Sequence, residues 1–112
     1  MGLTSKTTGA TQIITVHSDR IDAAMAIQFK EDMRAETESN ANRVVLDLSD
    51  VQFIDSSGLG AIVASMKQLG KDRRLDLAGL QPVVEKVFHL TRMDTVFKLF
   101  ATLDDALTAP EA

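Results

Sequence analysis

Residues Val44–Met66 read VVLDLSDVQFIDSSGLGAIVASM, and a change of period inside this stretch decides the fold. Arg43–Leu48 is a nearly continuous apolar run, the pattern of a strand covered on both faces. From Ser57 to Leu69 the apolar residues take helical spacing, with Leu59, Ile62, Val63, Met66 and Leu69 on one stripe. Gly70 stands where such a helix would end. A buried strand that feeds an amphipathic helix through a short connection is the first half of a crossover unit.

The flanks repeat this alternation. Gln12–Val16 (QIITV) is short and β-branched, as a strand would be. A helix is expected over Asp22–Glu38, where Ala26, Phe29 and Met33 share a face with Met25 beside them. TESNAN then breaks the pattern. RRLDLAGL reads as the next strand, and QPVVEKVFHL as a third helix with Pro82 near its start. TVFKLF gives a short strand and TLDDAL a last helical turn or two, with Thr102 as N-cap. Strands alternating with amphipathic helices predict an α/β arrangement with right-handed crossovers. No repeat, low-complexity tract or linker interrupts the body. Residues 11–108 are therefore expected to be one domain, with 1–10 a loose arm or weak edge strand and 109–112 a tail.

Composition narrows the chemistry. The 112 residues are of a size and mean hydropathy (+0.02) typical of one ordinary globular domain. No apolar run approaches the roughly 18 residues that span a bilayer. MGLTSKTTGATQ has no apolar signal core, and Lys6 sits where a myristoylation motif needs Ser or Thr, so a cytoplasmic protein with no direct membrane contact is expected. The absence of cysteine removes disulfides, thiolate chemistry and cysteine-based zinc sites. A net charge of -4, with Phe as the sole aromatic type, argues against nucleic-acid binding.

Working sites of open α/β sheets lie beyond the carboxyl ends of strands, which is where the Asp50–Gly58 connection falls. A phosphate-binding glycine loop fits poorly, because Val63 stands where the dinucleotide fingerprint needs Gly or Ala and no Walker lysine is present. Gly58 and Gly60 are better read as allowing a tight turn and close helix–sheet packing. A nucleophile elbow needs G-x-S-x-G, which IDSSG and DSSGL both fail. The histidines, His17 and His89, are more simply surface or structural residues than triad bases. Asp47, Asp50 and Asp55 do not have calcium-loop spacing and are better assigned to turns and a cap, so no metal or other cofactor is expected. Two readings of the serines remain. Either Asp55 or Ser56 caps the helix and Ser57 is an unremarked first-turn residue, or one serine is the substrate of another protein.

VVLDLSDVQFIDSSGLGAIV resembles the signature of the anti-sigma factor antagonists, the STAS-domain family of bacterial switch proteins. The likeness covers nearly the whole chain. DRIDAAMAIQFKEDM looks like the family's earlier G-x-[LI]-D segment and following helix, and VEKVFHLTRMDTVFKLFATLDDAL like its closing helices and strand. The resemblance implies a single STAS-like α/β domain, a mixed sheet of four or five strands flanked by about four helices. It implies phosphorylation of the second serine of D-S-S-G, here Ser57 with Ser56 as second choice. The partner would be an anti-sigma factor that is itself a serine/threonine kinase, with a serine phosphatase as the resetting enzyme. Asp22, Asp55, Ser56, Ser57, Gly58 and Leu59 would form the partner-binding surface. The implied function is non-catalytic: the unphosphorylated protein binds the anti-sigma factor and releases the sigma factor. The alternative is a STAS scaffold, or a regulatory subunit of a stressosome-like or membrane transport complex. Asp19 departs from the family by replacing its glycine, a change that left-handed tolerance of Asp would accommodate.

Overall fold

A computed structural model describes residues 2–39 and 41–109. In chain order it contains β1 (Gly2–Thr8), β2 (Thr11–His17), β3 (Arg20–Ile21), α1 (Ala26–Glu36), β4 (Arg43–Asp47), β5 (Phe53–Ile54) and α2 (Ser56–Leu69). There follow β6 (Arg74–Ala78), α3 (Pro82–Leu90), a 3-10 turn (Met93–Thr95), β7 (Leu99–Phe100) and α4 (Leu103–Thr108). The expected α/β domain, with a mixed five-stranded sheet and four helices, is what is found.

The sheet runs β1-β2-β4-β6-β7, and only the β1–β2 pairing is antiparallel. Parallel neighbours need long crossovers, and α1, α2 and α3 supply them. Alternation sorts the strand residues by face. Ile14, Val16, Val44, Leu46, Leu75 and Leu77 point into one core with Phe29 and Met33 of α1, Ile62 of α2 and Phe88 of α3. Each such side chain, fully buried, contributes roughly 1.5–3 kcal/mol. The opposite face is covered more thinly: Val45 and Ala78 meet Ala106, Leu103 and Phe100 under α4. That face also holds Arg43 and Asp76, 5% and 1% exposed, joined Nε to Oδ2 at 2.8 Å.

Residues 2–8 form the outer strand, zipped to β2 from Gly2↔His17 to Thr8↔Thr11 and turned at Gly9 with φ 60°. Of the four-residue tail at 109–112, only Ala109 lies within the described residues.

Two sequence expectations need correction, and one feature lies outside them. The helix expected from Asp22 begins only at Ala26. Residues 22–25 form a turn, closed by Met25 N–H to Asp22 C=O at 3.0 Å, because the Ala23 amide is drawn away to Asp55. TVFKLF is a strand only at Leu99–Phe100. The 3-10 turn before it drops Phe97 into the core, edge-on to Phe88 at 6.1 Å, so the segment leaves the sheet to bury a ring. Finally, the two-residue strands β3 and β5 pair in parallel as a separate ribbon, which no periodicity in the sequence announces.

Candidate functional site

The ribbon makes the site. β3 and β5 join Arg20 to Phe53 and Ile21 to Ile54, tying the loop after β2 to the loop before α2. The Asp19 carbonyl accepts from the amides of Gln52 (2.7 Å) and Phe53 (3.2 Å), and the Ile21 carbonyl from Asp55 N–H. Asp19 achieves this without left-handed torsions; Arg92 is the lone non-glycine with positive φ among the described residues. Instead of using Asp19's left-handed tolerance, the turn is held by Ser18, whose hydroxyl donates to Arg20 C=O at 2.9 Å. The glycine of the family pattern is thus dispensable at this turn.

Asp55 is the N-cap of α2, in extended conformation, and does two jobs with two oxygens. Oδ1 accepts from Gly58 N–H at 2.9 Å, satisfying one of the orphan amides of the first turn. Oδ2 accepts from Ala23 N–H at 3.1 Å, anchoring the other loop. Of the two capping candidates, Asp55 takes the role and Ser56 does not. Asp50 lies in the turn after β4, and Asp47 accepts from the backbone and side chain of Ser49.

Gly58 is buried, and a Cβ there would overlap the carbonyl oxygen of Ile21. Its missing side chain lets the helix start lie directly on the β3 backbone. Gly60 is different: it is exposed, a Cβ would meet nothing within 4 Å, and neither glycine has positive φ. The tight-turn and close-packing roles expected of both therefore reduce to close packing at Gly58.

Ser56 and Ser57 occupy the first two helical positions, both exposed, and neither hydroxyl has a hydrogen-bond partner among the described residues. Their amides are likewise unpartnered among the described residues, since the cap serves Gly58 and the Asp55 carbonyl serves Leu59. The front of α2 thus offers two hydroxyls and two open N–H groups to whatever approaches. Such a terminus favours an anion by about 0.3–1 kcal/mol when solvated. Asp22, half-buried, follows Ile21 at the edge of this platform and has its Oδ1 buried without a hydrogen-bond partner. Leu59 is half-buried against the core.

The fold thus gathers Asp22, Asp55, Ser56, Ser57 and Gly58, from two loops separated by more than 30 positions, around one helix start. Three contributors were not singled out from the sequence: the Ala23 amide, the Ile21 carbonyl and the exposed ring of Phe53 (51%). The first two are backbone groups, which no residue type marks. The third could be read from a phenylalanine beside the D-S-S-G motif. The histidines lie elsewhere, His17 bonded to Thr4 and His89 to Asp94, and neither touches a serine of the site.

A model of the STAS domain matches residues 3–106. An anti-sigma-F factor antagonist of Mycobacterium tuberculosis, RsfB, is 33% identical over 88 residues, covering 79% of this chain and 72% of its own. A putative anti-sigma factor antagonist of Bordetella bronchiseptica, BtrV, is 30% identical over 90 residues, covering 80% of this chain and 78% of its own. Among solved structures, an anti-sigma factor antagonist from Mycobacterium paratuberculosis superposes with a TM-score of 0.85 at 31% identity, over 96% of this chain and 91% of that one. With the strand order, the capped helix start and these matches together, the chain belongs to the STAS domain family.

Proposed function

We propose that this protein is an anti-sigma factor antagonist, a binding module whose Ser57 is phosphorylated by the anti-sigma factor it engages, itself a serine/threonine kinase, and dephosphorylated by a serine phosphatase. The relatives named for this activity cover most of the chain. The observation that carries the reading is Ser57 itself: an exposed, unbonded hydroxyl on the first turn of α2, beside open amides and a rigid two-loop platform. A kinase needs such a hydroxyl free to enter its own site, and a capping serine would be held back.

The same geometry supports an account of the switch. A phosphate on Ser57 adds about -1.5 to -2 charge at pH 7, next to Asp55 and Asp22. The unpartnered amides of Ser56 and Ser57 accommodate that charge locally, and the contacts that hold the loops together do not involve either hydroxyl. The fold therefore has no reason to rearrange. At a docked interface the same charge meets desolvation and repulsion, where like-charge juxtaposition costs several kcal/mol. Turning a mostly bound population into a mostly free one needs a differential of about 5.5 kcal/mol, a size an interface supplies and a solvated helix terminus does not. Phosphorylation acts by spoiling docking.

The test is copurification of partners with the wild type, Ser57→Ala and Ser57→Asp. Ser57→Ala should retain an ATP-binding serine kinase, and Ser57→Asp should lose it. Amide spectra of the phosphorylated and unphosphorylated protein should coincide outside the Asp50–Leu59 loop. Equal partner retention by all three proteins would favour a STAS scaffold instead, and a globally altered spectrum would overturn the docking account.

A further inference from the structure

At the end of α2 away from Ser57, a cleft of about 380 Å³ opens between the last helical turn and the start of β6. Over the 14 residues of α2, at about 1.5 Å each, the two ends are roughly 20 Å apart. The polar walls of the cleft are Lys67, Lys71, Arg73 and Arg74, and no carboxylate lines it. In a chain of net charge -4, this is a local reversal of sign.

The fold does not consume these cations. Lys67 and Lys71 are exposed and form no ion pair among the described residues. Arg73 donates from Nε to Ala41 C=O (2.8 Å) and from Nη1 to Thr37 C=O (2.7 Å), which fixes its position but leaves its charge unpaired. Its Nη2 is buried with no hydrogen-bond partner. Arg74 shares the single carboxylate of Asp76 with Arg43, so that cluster also keeps an excess of positive charge. The carbonyl end of α2 amounts to about half a negative charge. That accounts for one lysine in the last turn and leaves the other lysine and Arg73 without an anionic counterpart. Asp72, exposed on the same turn, lies outside the lining.

The remaining lining is apolar: Met66, Leu75 and Val96, the last 45% exposed. An inorganic anion would use the walls and leave this floor wet. The cleft is in the size range of small-molecule sites, roughly 300–1,000 Å³, with an apolar lining and convergent charged groups. A neighbouring cleft of about 360 Å³ shares Arg74 but adds Asp76 and Asp94, and its mixed charge disfavours an anion.

We propose that the Lys67–Arg74 cleft binds a small organic phosphate, its phosphate held by the exposed ammonium groups of Lys67 and Lys71 with the charges of Arg73 and Arg74 behind them, and its apolar body resting on Met66, Leu75 and Val96. The site is independent of the Ser57 reading, since its lining residues and Ser57 lie at opposite ends of α2.

The experiment is a titration of ¹⁵N-labelled full-length protein at low ionic strength with phenyl phosphate and, separately, inorganic phosphate. Phenyl phosphate should shift the amides of Gly70, Lys71, Arg73, Arg74 and Val96, and leave those of Ser56 and Ser57 in place. It should bind at least about threefold more tightly than inorganic phosphate, reflecting the apolar floor. The exposed double variant Lys67→Ala/Lys71→Ala should weaken it about tenfold, the loss expected for two exposed charge pairs. Shifts scattered over Lys6, Lys30 and Lys86, equal affinity for the two anions, or a double variant that binds like the wild type would each overturn the proposal. Vesicles containing phosphatidic acid distinguish a lipid headgroup from a soluble ligand: the protein should stay in the supernatant, and pelleting that is lost in the double variant would overturn the soluble-ligand assignment.

Discussion

Helix α2 carries a glycine near each end, and alanine is excluded at the two for opposite reasons. Gly58 has helical torsions but no room, because a Cβ would overlap the Ile21 carbonyl oxygen. Gly70 has room, with nothing within 4 Å, but its torsions of φ 80° and ψ -173° belong to a region that is essentially glycine's alone. The front of the helix is fixed by a contact made 37 residues away in the chain, from Ile21, while the back is fixed by the chain's own turn. The candidate site was built at the end whose geometry depends on tertiary packing. There the loops are cross-braced by Asp55, so the exposed serines stand on a platform that their own modification does not dismantle.

The largest effect should follow Gly58→Ala. The new methyl must displace a β3 carbonyl that is itself bonded to Asp55 N–H, so the ribbon and the cap move together. Overpacking of this kind costs typically 1–3 kcal/mol and occasionally more, and we expect about 3 kcal/mol, read as a lowered urea midpoint with an unchanged slope. Hydrogen exchange should speed up at Ala23 and Phe53 more than at Leu77. If stability is lost uniformly instead, the platform is not a unit.

This end of the helix also marks the limit of what the sequence discloses. The strands β2, β4 and β6, the amphipathic α2, its stop at Gly70 and the cap at Thr102 were all legible, because period and local torsion govern them. The D-S-S-G stretch could be placed at the strand-to-helix turn for the same reason. The late starts of the TVFKLF strand and of α1 were not legible. In each, a tertiary contact, Phe97 on Phe88 or Ala23 on Asp55, overrides a pattern that is locally sound. The distinction between Gly58 and Gly60 was hidden too, since nothing in G-L-G says which glycine faces a neighbouring backbone.

Gly70→Ala should come second. Space is available, so the cost is conformational alone, about 1–2 kcal/mol for holding an L residue in a glycine-only region. Its signature separates it from Gly58→Ala: the perturbation should stay within Lys67–Asp72, and partner retention at the Ser57 end should equal that of the wild type. A loss of partner binding would mean that the two ends of α2 are coupled, against the locality of the Gly70 turn.

Gly60→Ala should have the smallest effect and the opposite sign. Gly60 lies two residues after Gly58 on the same helix, with ordinary torsions, an exposed position and open space where a Cβ would go. Neither reason that excludes alanine at the helix ends applies. What remains is propensity: glycine in a helix interior is about 0.5–1 kcal/mol worse than alanine, largely through the freedom it retains when unfolded. The substitution should therefore raise the urea midpoint by that amount, with partner retention unchanged, because the Ser57 hydroxyl, the Asp55 cap and the Ile21 contact are untouched. A destabilised Gly60→Ala would show that the first turns of α2 need glycine's freedom beyond the one close approach at Gly58, and would shift the account of this site from a rigid platform to a flexible one.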